Sequence, residues 1–363
     1  MNRLVRLKTH TSESRYNIIV TDEEPFVSLT KGIRSMSYSN LIIVTNTVVW
    51  RLYGSAIKSS FGRENLSYNV VILPDGEVYK NLKTMQKIYD KLLLYHADRH
   101  SMLIGIGGGV IGDMTGFAAS TYMRGIRYVQ VPTTLLAQVD AAIGGKTGVD
   151  YALVKNVVGA FYQPVLVYSN INLLKTLSDR TYRAGIAEVV KCGIIDDKKL
   201  FSYVEKNRAD ILNQSRHSLL KIVYDSSRIK TKFVEKDEKE ITGIRMLLNF
   251  GHTFGHAIES FTHYKILHGE AVGIGMIIAA KIACILDLCK KDVPEKIEHV
   301  IRDMELPVSI KNLDIQHLNK SINYDKKSQA GKIALILLKD IGMPMVYKID
   351  KKMLKKKLME VKI

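Results

Sequence analysis

The sequence predicts an α/β N-terminal domain built on a parallel sheet, followed by a mostly α-helical C-terminal domain. Three observations carry this expectation. Short β-branched runs closed by turn residues alternate with segments of helical spacing through the first half. After about Asn172 strand-like runs become rare, and apolar residues at three- and four-residue intervals take over. A length of 363 residues suits about two domains with sizeable cores.

Leu41-Ile42-Ile43-Val44-Thr45 and Val70-Val71-Ile72-Leu73-Pro74 read as strands, and the apolar spacing from Leu82 to Tyr95 reads as a helix. A third strand, Ser101-Met102-Leu103-Ile104-Gly105-Ile106, runs into glycines and an apolar segment, and a fourth, Tyr128-Val129-Gln130-Val131-Pro132, follows. Strands alternating with helices argue for a parallel sheet covered on both faces. Helical spacing recurs over Arg180 to Cys192, Lys199 to Val234 and Met246 to Cys289, which sets the expected domains at 1–175 and 176–363. Neither an internal repeat nor a low-complexity linker interrupts them.

Hydrophobic residues at 46% and charged residues at 25% exclude a disordered or fibrous chain. The 53 Lys and Arg against 36 Asp and Glu give a net charge of +17. Much of the excess lies in stretches such as Asp325-Lys326-Lys327 and Lys351 to Lys362, without zinc-finger spacing or basic-aromatic interleaving. A solvated face and small anionic ligands are therefore expected rather than nucleic acid. Cys192, Cys284 and Cys289 are irregularly spaced, and Met1 to Tyr16 is polar without a signal-like apolar core, which fits a reducing cytoplasm. The most apolar stretch, Gly273 to Leu288, is broken by Lys281 and Asp287 and falls short of the ~20 residues of a membrane span, so it reads as a buried helix.

Gly107, Gly109 and Gly112 form a GxGxxG pattern directly after a strand and at the opening of a helix. Such glycines either let backbone N–H groups approach a pyrophosphate at the helix N-terminus or serve a tight packing turn. The acidic residue usually found ~20 positions on is missing, since that region reads Arg127 to Thr133. Further on, Gly144-Gly145-Lys146-Thr147-Gly148 resembles the end of a phosphate-binding loop, but the first glycine that motif requires is Asp140. What remains is a flexible turn offering Lys146 and N–H groups to a phosphate, beside Asp140.

In the second half, His252 and His256 stand four apart on one helical face, and His268-Gly269-Glu270 opens another helix. Imidazoles at this spacing can chelate one ion, with Glu188 as a possible carboxylate partner; a structural role for each histidine stands beside that reading. Cys192, Met246 and Met276 read as core.

Together these segments resemble the 3-dehydroquinate synthases, sugar phosphate cyclases of the shikimate pathway. The resemblance rests on Gly76-Glu77-Val78-Tyr79-Lys80, GGGVIGD at 107 to 113, Tyr122-Met123-Arg124-Gly125, PTTLLAQVDAAIGGKTGVD from Pro132 to Asp150, Lys155-Asn156, AGIAEVVK from Ala184 to Lys191, NFGHTFGHAIE from Asn249 to Glu259, and HGE from His268 to Glu270. It implies a Rossmann-like first domain, with the active site in the cleft before the helical one. It further implies NAD held by Glu77, Lys80, Gly108, Gly109, Val110, Asp113, Thr133, Thr134 and Lys155, and zinc, with cobalt as a substitute, on Glu188, His252 and His268. The resemblance thus splits the histidine pair, making His256 a proton-transfer group. Arg124, Asp140, Lys146, Asn156, Lys191, Lys230, Arg245 and Asn249, with Lys326 or Lys327, would bind substrate. Lys146, Asn156 and Arg245 would also serve catalysis, and Arg124 would reach a neighbouring subunit in a homodimer.

By this likeness, 3-deoxy-D-arabino-heptulosonate 7-phosphate becomes 3-dehydroquinate and phosphate. The implied steps are transient oxidation by NAD, phosphate elimination, reduction, ring opening and aldol closure, an overall carbon–oxygen lyase reaction. Three positions depart from the pattern. The family's ribose-binding aspartate is Asn46, which would weaken NAD through a lost charge-assisted hydrogen bond. One extra residue lies between the proton-accepting Glu and Gly243: counting from Lys230 the role falls on Glu240, counting back from Arg245 on Ile241. Glu240 is the expectation, because an isoleucine cannot move a proton. The usual proline is absent from Leu177-Ser178-Asp179-Arg180, an expected neutral change. Alternative readings are another sugar phosphate cyclase, a metal-dependent polyol dehydrogenase that would release NADH, and a nucleic-acid binder suggested by charge alone.

Overall fold

The β-branched runs of the first half assemble around one large sheet. In a computed structural model that describes residues 4–11, 15–152, 154–311, 313, 318, 328–329 and 332–361, the strands in chain order are β1 (Leu4–His10), β2 (Arg15–Thr21), β3 (Leu41–Asn46), β4 (Asn69–Leu73), β5 (Met102–Gly107), β6 (Arg127–Pro132), β7 (Lys146–Tyr151), β8 (Val154–Phe161) and β9 (Leu166–Asn170). Seven of them form the sheet, in the order β1-β2-β9-β6-β5-β3-β4, and β7 and β8 form a separate antiparallel hairpin. Within the sheet every pairing is parallel except β1 with β2.

Successive side chains of a strand point to opposite faces, and the core follows that alternation. Leu41, Ile43, Met102 and Ile104 pack with helices α1 (Val27–Arg34) and α2 (Thr47–Arg63). Ile42, Val44 and Leu103 pack instead with α3 (Leu82–Leu94) and α4 (Gly109–Thr121). These strand residues are almost wholly buried, each contributing about 1.5 to 3 kcal/mol relative to exposure. The sheet is therefore covered on both faces, as the near-continuous apolar runs require.

The chain divides into two units, Met1–Leu177 with Leu219–Thr231, and Ser178–Ser218 with Lys232–Ile363. The later helices are α5 (Asp179–Ile195), α6 (Lys198–Lys206), α7 (Arg208–Leu212), α8 (Arg216–Lys236), α9 (His252–Phe261), α10 (His268–Ile285), α11 (Val293–Asp303) and α12 (Lys351–Glu360). In place of the missing proline, Ser178 caps α5 by accepting the Thr181 N–H at 3.2 Å. α10 is, among the described residues, the one helix long and apolar enough to cross a membrane, and 78% of it is buried.

The second unit also holds a three-stranded antiparallel sheet, β10 (Ser328–Gln329), β11 (Lys332–Asp340) and β12 (Met343–Asp350), which helical spacing did not foretell. The unbroken apolar run Ile333 to Leu338 suits a buried helix or a buried strand equally well. Pairing with β12 across the Ile341-Gly342 turn decides it, with Gly342 at φ 77°. The lysine-rich tail is largely α12, where Leu354 and Leu358 are buried while Lys352, Lys355 and Lys356 face solvent.

Candidate active site

Strand order places the first cluster of site residues. β3 pairs with β4 on one side and β5 on the other, so the chain direction across the sheet reverses between β3 and β5. Ligands of open α/β sheets bind outside the carboxyl ends of strands at such a point. Asn46 ends β3, and the glycine loop follows β5. Both readings of the glycines have a place there. A Cβ on Gly107 would lie 2.6 Å from Ile111, and one on Gly112 2.7 Å from the Gln130 side chain, so these two serve close packing. Gly108, Gly109 and Val110 are half-buried at the N-terminus of α4, where backbone N–H groups and the helix dipole favour an anion. Thr133 and Thr134 lie beside this loop: the Thr133 N–H donates to Gly107 O at 2.9 Å, and Thr134 packs on Gly108.

Asn46 caps α2 by accepting the Val49 N–H at 2.8 Å, and its Nδ2 donates to Asp75 Oδ1 at 2.5 Å. An exposed carboxylate thus stands next to the position where the sequence lacks one. Lys80 is buried, and its Nζ donates to Asp113 Oδ2 and Asn156 Oδ1, both at 2.5 Å. Burial alone would lower the Lys80 pKa, but the Asp113, Glu77 and Asp150 carboxylates outweigh it and raise it, so the ammonium stays charged. The backbone around it is also tied, since the Asp150 N–H donates to Lys80 O and the Asn156 N–H to Asp150 Oδ1, each at 2.8 Å. Glu77 is exposed and Lys155 half-buried.

Asp140 and Lys230 meet in the first unit: Lys230 Nζ donates to Asp140 O at 2.5 Å and to Asp140 Oδ1 at 2.7 Å. Lys146 is exposed, but it opens β7 rather than sitting in the expected flexible turn, which is confined to Gly144 and Gly145 at φ 97° and 67°. The pairing of β7 with β8 takes Lys146 into the ladder opposite Phe161. Arg124 is exposed, and at φ 63° it lies in a region that non-glycine residues seldom occupy.

In the second unit three helices converge through glycines. A Cβ on Gly269 would come within 1.7 Å of Ala184 O, so α10 starts directly against α5, one turn before Glu188. A Cβ on Gly275 would come within 2.1 Å of Gly251 O, which sets α10 equally close to the start of α9. Arg180 grips both oxygens of Glu270 at 2.7 and 2.8 Å, while Glu270 Oε2 accepts the Leu267 N–H at 2.8 Å, fixing the first turn of α10.

This packing brings His252 Nε2 and His268 Nε2 to 3.8 and 3.9 Å from Glu188 Oε1. The three ligand atoms lie within 4.8 Å of one another. Glu188 is buried, ion-paired with buried Lys191, and its Oε1 receives no hydrogen bond from the described residues. A buried carboxylate oxygen facing two imidazole nitrogens fits a divalent ion, and three protein ligands would leave a position for substrate. His256 falls in a different group with Glu259 and His268, so the i, i+4 pair does not chelate together. The His256 ring is largely exposed, and its Nδ1 lies 2.8 Å from Glu259 Oε2. Burial presses the His268 pKa down, but Glu259, with Glu188 behind it, outweighs this and raises it.

The loop before α9 holds the last cluster. Asp237 accepts the Ile241, Thr242 and Arg245 N–H groups at 2.7, 3.0 and 3.1 Å. Burial works upward on its pKa, and these backbone donors more than reverse that, leaving it lowered. Arg245 is fully buried, donates to Glu238 O at 2.5 Å, and has its Nε 3.9 Å from Glu240 Oε1. Of the two residues the count leaves open, Ile241 is 82% exposed, whereas Glu240 is half-buried near Arg245. Asn249 is half-buried at the end of the short helix Arg245–Asn249. Lys326 and Lys327 lie outside the described residues.

Residues 70–184 match the family described as 3-dehydroquinate synthase N-terminal, and residues 185–328 match 3-dehydroquinate synthase C-terminal. A Thermodesulfovibrio yellowstonii protein named 3-dehydroquinate synthase is 42% identical over 359 residues, 98% of this chain and 99% of that protein. The chain belongs to the 3-dehydroquinate synthase family. Among solved structures, 2-deoxy-scyllo-inosose synthase complexed with carbaglucose-6-phosphate, NAD+ and Co2+ superposes with a TM-score of 0.89 at 25% identity, covering 98% of this chain and all (100%) of that one. The 2-epi-5-epi-valiolone synthase of Streptomyces hygroscopicus, with NAD+ and Zn2+ bound, gives 0.87 at 25% identity, covering 99% and 98%.

For this 3-dehydroquinate synthase family member, sequence reading left four residues unassigned that bond to groups of the candidate site or the segments carrying them: Asp75, Arg180, Asp237 and Glu259. Glu259 carried a usable signal, because it follows His256 by three positions and so shares its helical face. Asp75 and Arg180 meet partners in segments that spacing does not connect, and Asp237 meets backbone N–H groups of its own loop.

Proposed function

We propose that this enzyme converts 3-deoxy-D-arabino-heptulosonate 7-phosphate to 3-dehydroquinate and phosphate, as a cytoplasmic homodimer serving the shikimate pathway. The observation that carries the reading is the convergence of Glu188, His252 and His268 beside His256 in a chain of this family. The relative at 42% identity favours the heptulosonate substrate over those of the cyclases at 25%. When bound, NAD+ supplies a hydride acceptor and donor, and a zinc or cobalt ion on Glu188, His252 and His268 a Lewis acid.

The proposed NAD-binding domain is 1–175. There the N–H groups of Gly108, Gly109 and Val110, with Thr133 and Thr134 beside them, would hold the cofactor's pyrophosphate. Lys80 and Asp113, with Glu77 and Lys155, would hold the rest of the dinucleotide, and Asn46, bonded to Asp75, would leave that carboxylate to accept from a ribose hydroxyl. The proposed metal and substrate domain is 176–363, from which Leu219–Thr231 packs with the first unit. His256 offers its exposed ring to take and return protons, and Glu240 accepts a proton beside Arg245. The buried Arg245 guanidinium, with Lys146 and Asn249, binds the substrate's anionic groups where water screens them least. Asp140, Asn156, Lys191 and Lys230 orient the remaining oxygens, and Arg124 reaches the partner's site.

Purified protein supplied with the heptulosonate phosphate, NAD+ and zinc is expected to release phosphate over many turnovers while absorbance shows no accumulating NADH. Absence of phosphate release from metal-loaded protein would refute this substrate. NADH accumulation on a simple polyol would make the enzyme a dehydrogenase.

A further inference from the structure

We propose that Glu259 is a positioning residue whose single buried carboxylate fixes both the metal-ligand His268 and the proton-transfer His256. The inference rests on the reading of Glu188, His252 and His268 as a metal centre. Glu259 is 2% exposed, unlike the exposed helical glutamates that serve only as solvated charge. Its Oε2 lies 2.8 Å from His256 Nδ1 and 3.5 Å from His268 Nδ1. The same His268 ring turns its other nitrogen, Nε2, toward Glu188.

A carboxylate accepts hydrogen bonds and, when ionised, donates none. An imidazole facing it through Nδ1 therefore carries its proton there and leaves the Nε2 lone pair outward. His268 needs that lone pair to ligate, and His256 needs it to take a proton. One oxygen thus sets the tautomer and ring plane of two groups with different tasks. The placement follows from helix geometry, since 252, 256 and 259 are i, i+4 and i+7 on α9, one stripe that carries a ligand, a proton-transfer group and the residue that orients it. Carboxylates behind metal-bound histidines act in this way, and losing one typically costs about 10- to 100-fold in metal affinity or activity.

Glu259→Gln keeps the volume and removes the charge. Zinc affinity measured by competition with a chromophoric chelator is expected to fall about 10- to 100-fold. The visible spectrum of the cobalt-loaded variant should change, kcat should fall more than KM rises, and metal-free thermal unfolding should stay close to that of the parent. Glu259→Asp, which restores the charge, is expected to recover part of the affinity. Zinc affinity within about twofold of the parent, with an unchanged cobalt spectrum, would overturn the proposal. Should the variants fail to fold, nitrogen-15 spectra of histidine-labelled, zinc-loaded parent protein decide it: His256 protonated on Nδ1 is expected, and protonation on Nε2 alone overturns it. Glu188→Gln separates the two levels of the argument. If it binds zinc like the parent, the metal centre itself is wrong; if it loses zinc while Glu259→Gln does not, only the role of Glu259 falls.

Discussion

The extra residue between Lys230 and Gly243 makes the sequence ambiguous by one position, and the two candidates differ in where their side chains lie. Glu240 faces a buried guanidinium, whereas Ile241 stands in solvent. Replacing Ile241 with Ser is expected to leave turnover unchanged and stability within about 0.5 kcal/mol, as for other surface changes. Glu240→Gln should instead lower kcat by about 100-fold, the lower range of general acid–base contributions. Steady-state kinetics of both variants test the assignment, and full turnover by Glu240→Gln would sink it. Asn46 shows the same dependence on neighbours. Its sequence predicts a lost charge, while in three dimensions its amide holds the carboxylate of Asp75.

At the scale of elements, Glu188, His252 and His268 owe their convergence to glycines that allow helices to touch. Gly269→Ala would push a Cβ into the Ala184 carbonyl, a backbone group that cannot rotate away. A cost of about 3 kcal/mol is expected, together with weaker zinc binding as His268 moves from Glu188. Gly273→Ala on the same helix meets only Ile301 at 3.6 and 3.7 Å, so it should be neutral or gain up to about 1 kcal/mol of helix propensity. Urea unfolding and zinc content of the pair test this, and equal behaviour would refute the close-approach argument. Sequence reading located these helices because their apolar spacing is local. It could not locate β11, because an unbroken apolar run carries no period.

For the whole molecule, the second unit is joined at Asp340, where β11 meets both Lys290 and Lys198, at 2.7 and 3.2 Å. The Lys290 hydrogen bond, against the upward push of burial and with Lys198 adding to it, lowers the Asp340 pKa to about 2. A carboxyl whose folded pKa is depressed stabilises the fold above its unfolded value near 3.9 and loses that contribution as pH falls through the folded value. Asp340→Asn is therefore expected to cost about 1 kcal/mol at neutral pH, allowing for solvent screening. The difference should narrow as pH falls from about 4 toward 2. Urea unfolding at pH 7 and pH 3 measures it, and a gap independent of pH would refute the ion-pair account. The charge of +17 has a different standing. Much of what α12 contributes is a solvent-facing row above buried Leu354 and Leu358.

Fold class, family and chemical inventory are legible along the chain, because periodicity, turn residues and contiguous motifs are local properties. Which groups from distant segments lie together follows only from the tertiary structure. It joined Asp140 to Lys230 and brought Glu188 and Glu259 to opposite nitrogens of the His268 ring. Each of those outcomes depends on how closely separate helices and loops approach one another, and that distance is set by glycines, buried charges and packing between segments remote in sequence.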